Sequence, residues 1–317
     1  MPKKTQNISE NPEKALDGGD ALSSILGRLK LRAEVFLNAD FCGTWAVDTS
    51  GKRKVPFHLI SRGSGWLRTG DAEPRLLTAG DFVVLPHDDQ HTISSNPSPP
   101  LPGVVNQPPS KELEGPVTSL LCGYFEFQSK AVWPLLDSLP NVSVLDLKES
   151  GRLSGTHTLM QLVISELEQN RPGVEAAVNQ LAYVLFIHVI RAEMMHGLEG
   201  GLLGALTDQK IGHALNLIHA NPSHGWTINR LAEQCLMSRS SFADRFKQLV
   251  GMPPIRYVTE WRMQEALELL QTTDLSVSTI AERSGYVSEV AFRKAFRSVI
   301  GEPPGRIRRA ARSTNLT

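Results

Sequence analysis

Cysteine is scarce in this chain. Cys42, Cys122 and Cys235 are its three thiols in 317 residues, and three scattered cysteines argue against a disulfide framework. No apolar run approaches the roughly 20 residues that span a bilayer. The opening MPKKTQNISENPEK also lacks the apolar core of a signal peptide. The expected compartment is therefore the cytoplasm, with no membrane partner. Net charge is absent too, with 33 Lys+Arg against 33 Asp+Glu, but that balance hides an asymmetry. From Thr207 onward there are 15 basic and 10 acidic residues, while the remainder has 18 basic and 23 acidic. A basic final third that ends in Arg306, Arg308, Arg309 and Arg312 suits contact with phosphate.

What is present is an ordinary globular composition, 41% hydrophobic and 21% charged, in a chain of 34.9 kDa. That is enough for two domains with separate cores. Residues 1–20 are polar and are expected to be disordered. From about Glu34 to Phe127, short apolar runs (FCGTWAV, VPFHLIS, GWLRT, DFVVLP, HTIS, TSLLCGYFEF) alternate with Gly, Pro and Asp. Many short strands with turns between them predict a β-sandwich or barrel. Residues Pro97 to Pro116 carry seven prolines and read as a long loop between two late strands. From Leu153 the apolar period becomes helical, with RPG at 171–173 dividing two helices. The second is apolar enough to bury two faces and so to meet a partner subunit. EGGLLGAL at 199–206 has the composition of a linker.

The last hundred residues repeat themselves. INRLAEQCLMSRSSFADRFKQLVGMPP (228–254) is answered by VSTIAERSGYVSEVAFRKAFRSVIGEPP (277–304). Leu231-Ala232-Glu233 matches Ile280-Ala281-Glu282 at an offset of 49, and Phe242, Phe246 and Gly251 match Phe292, Phe296 and Gly301 at 50. One helical unit is used twice, with one residue inserted. Thr227, Ser238, Ser276 and Ser288 are predicted N-caps, and Gly251 and Gly301 the terminators. A capped helix, a short turn and a second helix with a Phe-x3-Phe stripe describe a helix-turn-helix. Its second helix would offer Arg239, Ser240, Ala243, Asp244 and Lys247 outward in the first unit. In the second unit it would offer Glu289, Val290, Arg293, Lys294 and Arg297. Arg and Lys suit guanine O6/N7 or phosphate, Glu suits cytosine N4, and Val suits a thymine methyl.

The stretch DLSVSTIAERSGYVSEVAFRKAFRSVIGEPPGRIRR resembles the signature of AraC/XylS-type transcription regulators. That resemblance implies seven helices with two helix-turn-helix units on a connecting helix, binding to neighbouring major grooves of promoter DNA, and recruitment of RNA polymerase. Ala243 and Asp244 depart from the basic or amide residues common in the family's first reading helix. The β-rich segment in turn resembles the cupin-like domains that precede such modules, with Gly80-Asp81, Pro86, His91 and Asn96 forming the second cupin motif. The usual cupin metal set is incomplete: Gly51-Lys52-Arg53-Lys54 stands where a His-x-His pair belongs.

Two readings of the barrel stay open. His58, His91, Cys122 and Cys42 form a fair zinc set; equally, the imidazoles are hydrogen-bonded core residues and the thiols small apolar fillers. The expected fold class is α+β and multidomain. It comprises a cupin-like sensor domain (21–150), a helical dimerisation region (151–198), a linker (199–207) and an all-α tandem helix-turn-helix domain (208–312). The expected function is a homodimeric, sequence-specific transcription regulator acting as an activator, controlled by a small-molecule or metal effector in the N-terminal barrel. The alternative is a cupin-type metalloenzyme with a helical appendage.

Overall fold

The computed structural model describes residues 20–27, 31–109, 115–127, 133–146, 154–169, 171–198 and 200–314. The polar stretch expected to be disordered at 1–20 lies, except for Asp20, outside the described residues. The chain divides into two compact units, residues 28–207 and residues 1–27 with 208–317.

The first unit holds two antiparallel sheets. Strands β1 (Leu31–Phe41), β8 (Thr118–Phe127), β3 (Val55–Arg62), β6 (Asp81–Val84) and β9 (Ser143–Asp146) form one sheet in the order β1-β8-β3-β6-β9. Strands β2 (Ala46–Val47), β7 (His91–Ser94), β4 (Ser64–Thr69) and β5 (Arg75–Thr78) form the other, in the order β2-β7-β4-β5. Phe41, Trp45, Ile60, Leu67, Leu77, Val83, Ile93 and Leu120 fill the space between them. Strand β3 is buried continuously from Val55 to Ile60, so its sequence does not alternate as a half-buried strand would. Its second face is covered too. Phe57 packs on Phe125 at 4.5 Å between ring centroids, and Phe125 packs on Phe186 of α4 at 5.4 Å. Gly123 is required in this layer, because a Cβ there would stand 2.2 Å from the Phe57 ring and 2.6 Å from the Glu34 carbonyl.

Helices α2 (Trp133–Leu136), α3 (Ser154–Gln169), α4 (Val174–Met195) and α5 (Gly201–Thr207) complete the unit. By length and composition alone α4 is long and apolar enough to cross a membrane, a property hidden in the sequence by the interspersed Glu175, Asn179 and His188. Here Val178, Ala182, Leu185, Phe186 and Val189 are buried, and the Asn179 amide oxygen accepts from Ala33 N–H of β1 at 2.6 Å. The expected linker at 199–207 is largely helix α5. Leu202 and Leu203 are buried, and Ser138 Oγ accepts from Leu202 N–H at 2.7 Å. Two adjacent leucines outweigh the glycines, which here allow close approach: Gly201 sits at φ +73° with Ser138 2.5 Å from where its Cβ would be.

The second unit is all helical. It contains α6 (Gln209–Ala220), α7 (Ile228–Gln234), α8 (Arg239–Val250), α9 (Pro254–Thr272), α10 (Val277–Arg283), α11 (Glu289–Ile300) and α12 (Pro304–Thr314). All four predicted caps form. The side chains of Thr227, Ser238, Ser276 and Ser288 accept from the backbone N–H three residues on, at Arg230, Ser241, Thr279 and Ala291. Gly251 and Gly301 end α8 and α11 at φ +82° and +87°, where a side chain would be strained. Phe242, Phe246, Phe292 and Phe296 are fully buried. Met263, Ala266 and Leu270 of α9 pack with Ile280, Ala281, Phe292 and Phe296.

The unit also contains α1 (Ala21–Leu26), from a segment the sequence reading assigned to the sensor domain. Ala21, Ile25 and Leu26 are buried, and Asn216 Oδ1 of α6 accepts from Ala21 N–H at 2.7 Å.

Candidate nucleic-acid interface and barrel interior

The second helix of each repeat is amphipathic because its phenylalanines recur at i and i+4, turning the remaining positions outward. On α8 the structure places Arg239, Ser240, Asp244 and Lys247 on the exposed side, with Ala243 half-buried. On α11 it exposes Val290, Arg293, Lys294 and Arg297, while Glu289 is half-buried. Glu289 is not an independent group. Its Oε1 accepts from Arg293 Nε at 2.7 Å and pairs with the same guanidinium at 2.6 Å, so it holds Arg293 in one orientation. A cleft of about 510 Å³ beside α11 is lined by Arg293, Lys294, Arg297, Ser298, Pro303 and Pro304.

The arginines of the C-terminal tail are less available than their charge suggests. Arg308 donates to the carbonyls of Leu270 and Leu275, at 3.0 and 2.7 Å, closing the end of α9. Arg312 pairs with Asp274 at 2.9 Å and Arg306 with Glu302 at 3.1 Å. Arg245 of α8 is likewise taken up by Asp208, which also caps α6. No local pattern marks His219 in advance. It lies flat on Trp261 at 3.7 Å between centroids and meets the Tyr257 hydroxyl at 2.7 Å, tying α6 to α9.

In the barrel, His58, His91 and Cys122 do meet, because β3 pairs with β8 and places His58 opposite Cys122. All three are at most 1% exposed. His58 Nδ1 is 3.1 Å from Cys122 Sγ, and its Nε2 is 2.9 Å from His91 Nε2. Thr49 Oγ1 lies 2.9 Å from the same His91 nitrogen. His91 Nδ1 faces the Asp89 carbonyl at 2.7 Å, which can only accept, so that nitrogen carries the proton. With both rings neutral, His91 Nε2 accepts from His58 Nε2–H, and His58 Nδ1 accepts from the Cys122 thiol. Neutrality follows from burial. It holds the His58 pKa well below the usual histidine value, with His91 adding to the effect, and it lowers His91 too, the Asp89 carbonyl offsetting part. Burial also pushes the Cys122 thiol far up, so it is not a thiolate.

This arrangement does not fit a zinc set of His58, His91, Cys122 and Cys42, one of the two readings of the barrel, and matches the other, hydrogen-bonded core histidines. His58 turns opposite ring nitrogens to Cys122 and to His91, so three donors do not converge on one point. Among the described residues no three His, Cys, Asp or Glu side chains are placed to hold an ion. Cys42 stands half-buried just past β1. The Lys52–Lys54 stretch is a surface turn: Asp88 accepts from the N–H groups of Gly51 and Arg53, and Lys54 pairs with Glu34 and Glu126. A separate cleft of about 460 Å³ opens on the outer side of β1, against α3 and α4. Its floor includes Ala33, Val35 and Val178, and its rim Arg32, Glu126 and Glu175.

Comparison with known proteins finds two matching families. Residues 20–195 match a family described as cupin, and residues 231–310 a helix-turn-helix domain. An uncharacterised HTH-type transcriptional regulator of Haemophilus influenzae is 32% identical over 92% of this chain and 99% of its own length. A putative AraC-like transcription regulator of Streptomyces lividans is 31% identical over 92% of this chain and 98% of its own. The HTH-type transcriptional regulator AlkR of Acinetobacter baylyi is 29% identical over 90% and 97%. These relatives are regulators across nearly their whole length, which removes the metalloenzyme alternative. The chain belongs to the AraC-type family of helix-turn-helix transcription regulators, with a cupin-like domain ahead of its DNA-binding domain.

Proposed function

We propose that this regulator reads promoter DNA by laying α8 and α11 into successive major-groove segments. Arg239, Ser240, Asp244 and Lys247 are the contacts from α8. Val290, Arg293, Lys294 and Arg297 are the contacts from α11, with Glu289 orienting Arg293. The observation that carries the reading is the sidedness of α11. Phe292 and Phe296 are fully buried, while three cations stand on its exposed side beside a cleft of about 510 Å³. Cations presented from a rigid helix suit guanine edges and phosphates together.

The N-terminal unit serves as the sensor. Between the sheets Phe41, Trp45, Ile60 and Ile93 pack together, and the effector site is placed at the open cleft outside β1. There an apolar floor and a charged rim suit a small amphipathic molecule. The helices at 151–198 pair two copies, and exposed Leu162 and Met195 on α3 and α4 supply apolar surface for that contact. Activation through RNA polymerase, in the cytoplasm, is the outcome the family favours.

The test is titration of full-length protein onto its own upstream DNA at several salt concentrations. Arg293→Ala and Lys294→Ala are expected to weaken binding at least tenfold and to lower the salt dependence. Unchanged affinity in both variants would remove α11 from the interface.

A further inference from the structure

The repeat has one residue too many in its second copy, and the hydrogen bonds locate it. In the first unit Met237 N–H donates to Ala232 O at 2.9 Å, and in the second Tyr286 N–H donates to Ala281 O at 3.0 Å. Leu236 and Gly285, the residues just before these donors, both have positive φ. Up to this point the offset is 49. Ser238 then caps α8 directly after Met237, whereas Val287 stands between Tyr286 and the cap Ser288. Val287 is the insertion.

The fold makes no use of it. An apolar residue just before an N-cap ordinarily packs on the fourth residue of the helix, here Phe292. That place is taken by Tyr286, whose ring meets Phe292 edge-on at 5.7 Å, and Phe292 itself is fully buried. Val287 is pushed outward to 107% exposure, and Val290, the second residue of α11, is 78% exposed. At the place of Val290 the first unit has Ser240, and it has no counterpart of Val287. Two bare valines therefore flank the cap of the second reading helix, Val287 just before it and Val290 just inside, and Arg293, Lys294 and Arg297 follow along the helix.

We infer that Val287 is a base-reading residue, which with Val290 contacts thymine 5-methyl groups in the major groove. The inference rests on the proposal that α11 is a reading helix. Residues at the N-terminal end of such a helix are the ones that reach base edges, and the thymine methyl is the apolar group displayed in that groove. The size of the patch points the same way. Two valines bordered by Ser288, Glu289 and Arg293 are far smaller than the apolar patches that mark protein interfaces. The following cations suit a polyanion.

The experiment selects preferred sites for the full-length protein from randomised duplexes. It then replaces each thymine by uracil, which pairs identically and lacks only the methyl. For the parent, uracil at one or two positions is expected to weaken binding about fourfold, the value for one buried methyl group. Val287→Ser is expected to bind thymine and uracil equally at one of these positions, and Val290→Ser at another. A parent indifferent to uracil everywhere, or a Val287→Ser variant that keeps every thymine preference, overturns the inference. Failure of the underlying proposal looks different: Arg293→Ala and Lys294→Ala, which leave both valines in place, would then bind like the parent. Serine at 287 touches nothing in the fold, so lost discrimination cannot come from unfolding.

Discussion

Leu236 holds a left-handed backbone at φ +52° with its side chain 86% exposed, while Gly285 occupies the matching place in the second repeat. A non-glycine residue in that region costs about 1–2 kcal/mol, and little buried surface offsets it here. Leu236→Gly should therefore stabilise the C-terminal unit by up to about 1 kcal/mol after the added flexibility of the unfolded chain is subtracted. Denaturant unfolding of parent and variant measures it; a loss of stability would mean that the leucine packs against something. His58 and His91 allow a prediction with a sign. Both are kept neutral by burial, so at acidic pH the unfolded chain binds protons that the folded chain refuses, and stability rises with pH where that difference exists. Stability of the N-terminal unit should fall as pH drops below about 6.5, the ordinary histidine value. Above that pH the two groups should contribute no slope. His58→Gln with unchanged acid sensitivity would remove this pair as the cause. That these residues meet was legible from the sequence, since they lie on strands that pair or pack. The direction of each ring nitrogen was not, because a one-dimensional pattern carries no side-chain rotamer.

At the scale of the element, the four caps and two phenylalanine stripes were legible because their signals are local. A Ser or Thr three residues ahead of the N–H it accepts from, and Phe at i and i+4, need no knowledge of the rest of the fold. Their energetic weight can be measured. Ser288→Ala removes the acceptor for Ala291 N–H and should destabilise by about 1 kcal/mol. It should also weaken DNA binding by loosening the start of α11, whereas Ser276→Ala should cost similar stability and leave DNA affinity nearly unchanged. Equal DNA losses in the two variants would show that global stability, not the pose of α11, sets affinity. The element misread as a linker failed for a non-local reason. Leu202 and Leu203 of α5 find their burial against distant residues such as Ser138, and no local rule outvotes three glycines in nine residues. Strand β3 was found but its two-sided burial was not, since Phe57 is covered by Phe125 of β8, which itself packs on Phe186 of α4, in segments far away in the sequence.

The whole molecule contains one arrangement that no window of sequence could reveal: residues at the start of the chain belong to the unit formed by its end. Asp20 caps α1, accepting from Ser23 N–H at 2.7 Å. Ala21, Ile25 and Leu26 are buried, and the helix is joined to α6 by the Asn216 acceptor and by His219 at the Ala21 carbonyl. Six residues are too few for a helix to persist alone, so α1 exists because α6 receives it. Removing a buried aliphatic side chain typically costs about 2–5 kcal/mol. Ile25→Ala should therefore lower the thermal transition of the DNA-binding unit, although the altered residue precedes the whole sensor domain in the chain. The transition of the barrel should stay where it was, because none of these contacts lies within residues 28–207. Scanning calorimetry of the full chain separates the two outcomes, with hydrogen exchange on α6 and on β8 assigning each transition to its unit. A drop confined to the barrel transition would place α1 with the sensor after all. A drop confined to the helical unit would mean that Ile25 works within the domain built from the end of the chain, although it lies ahead of the sensor in sequence.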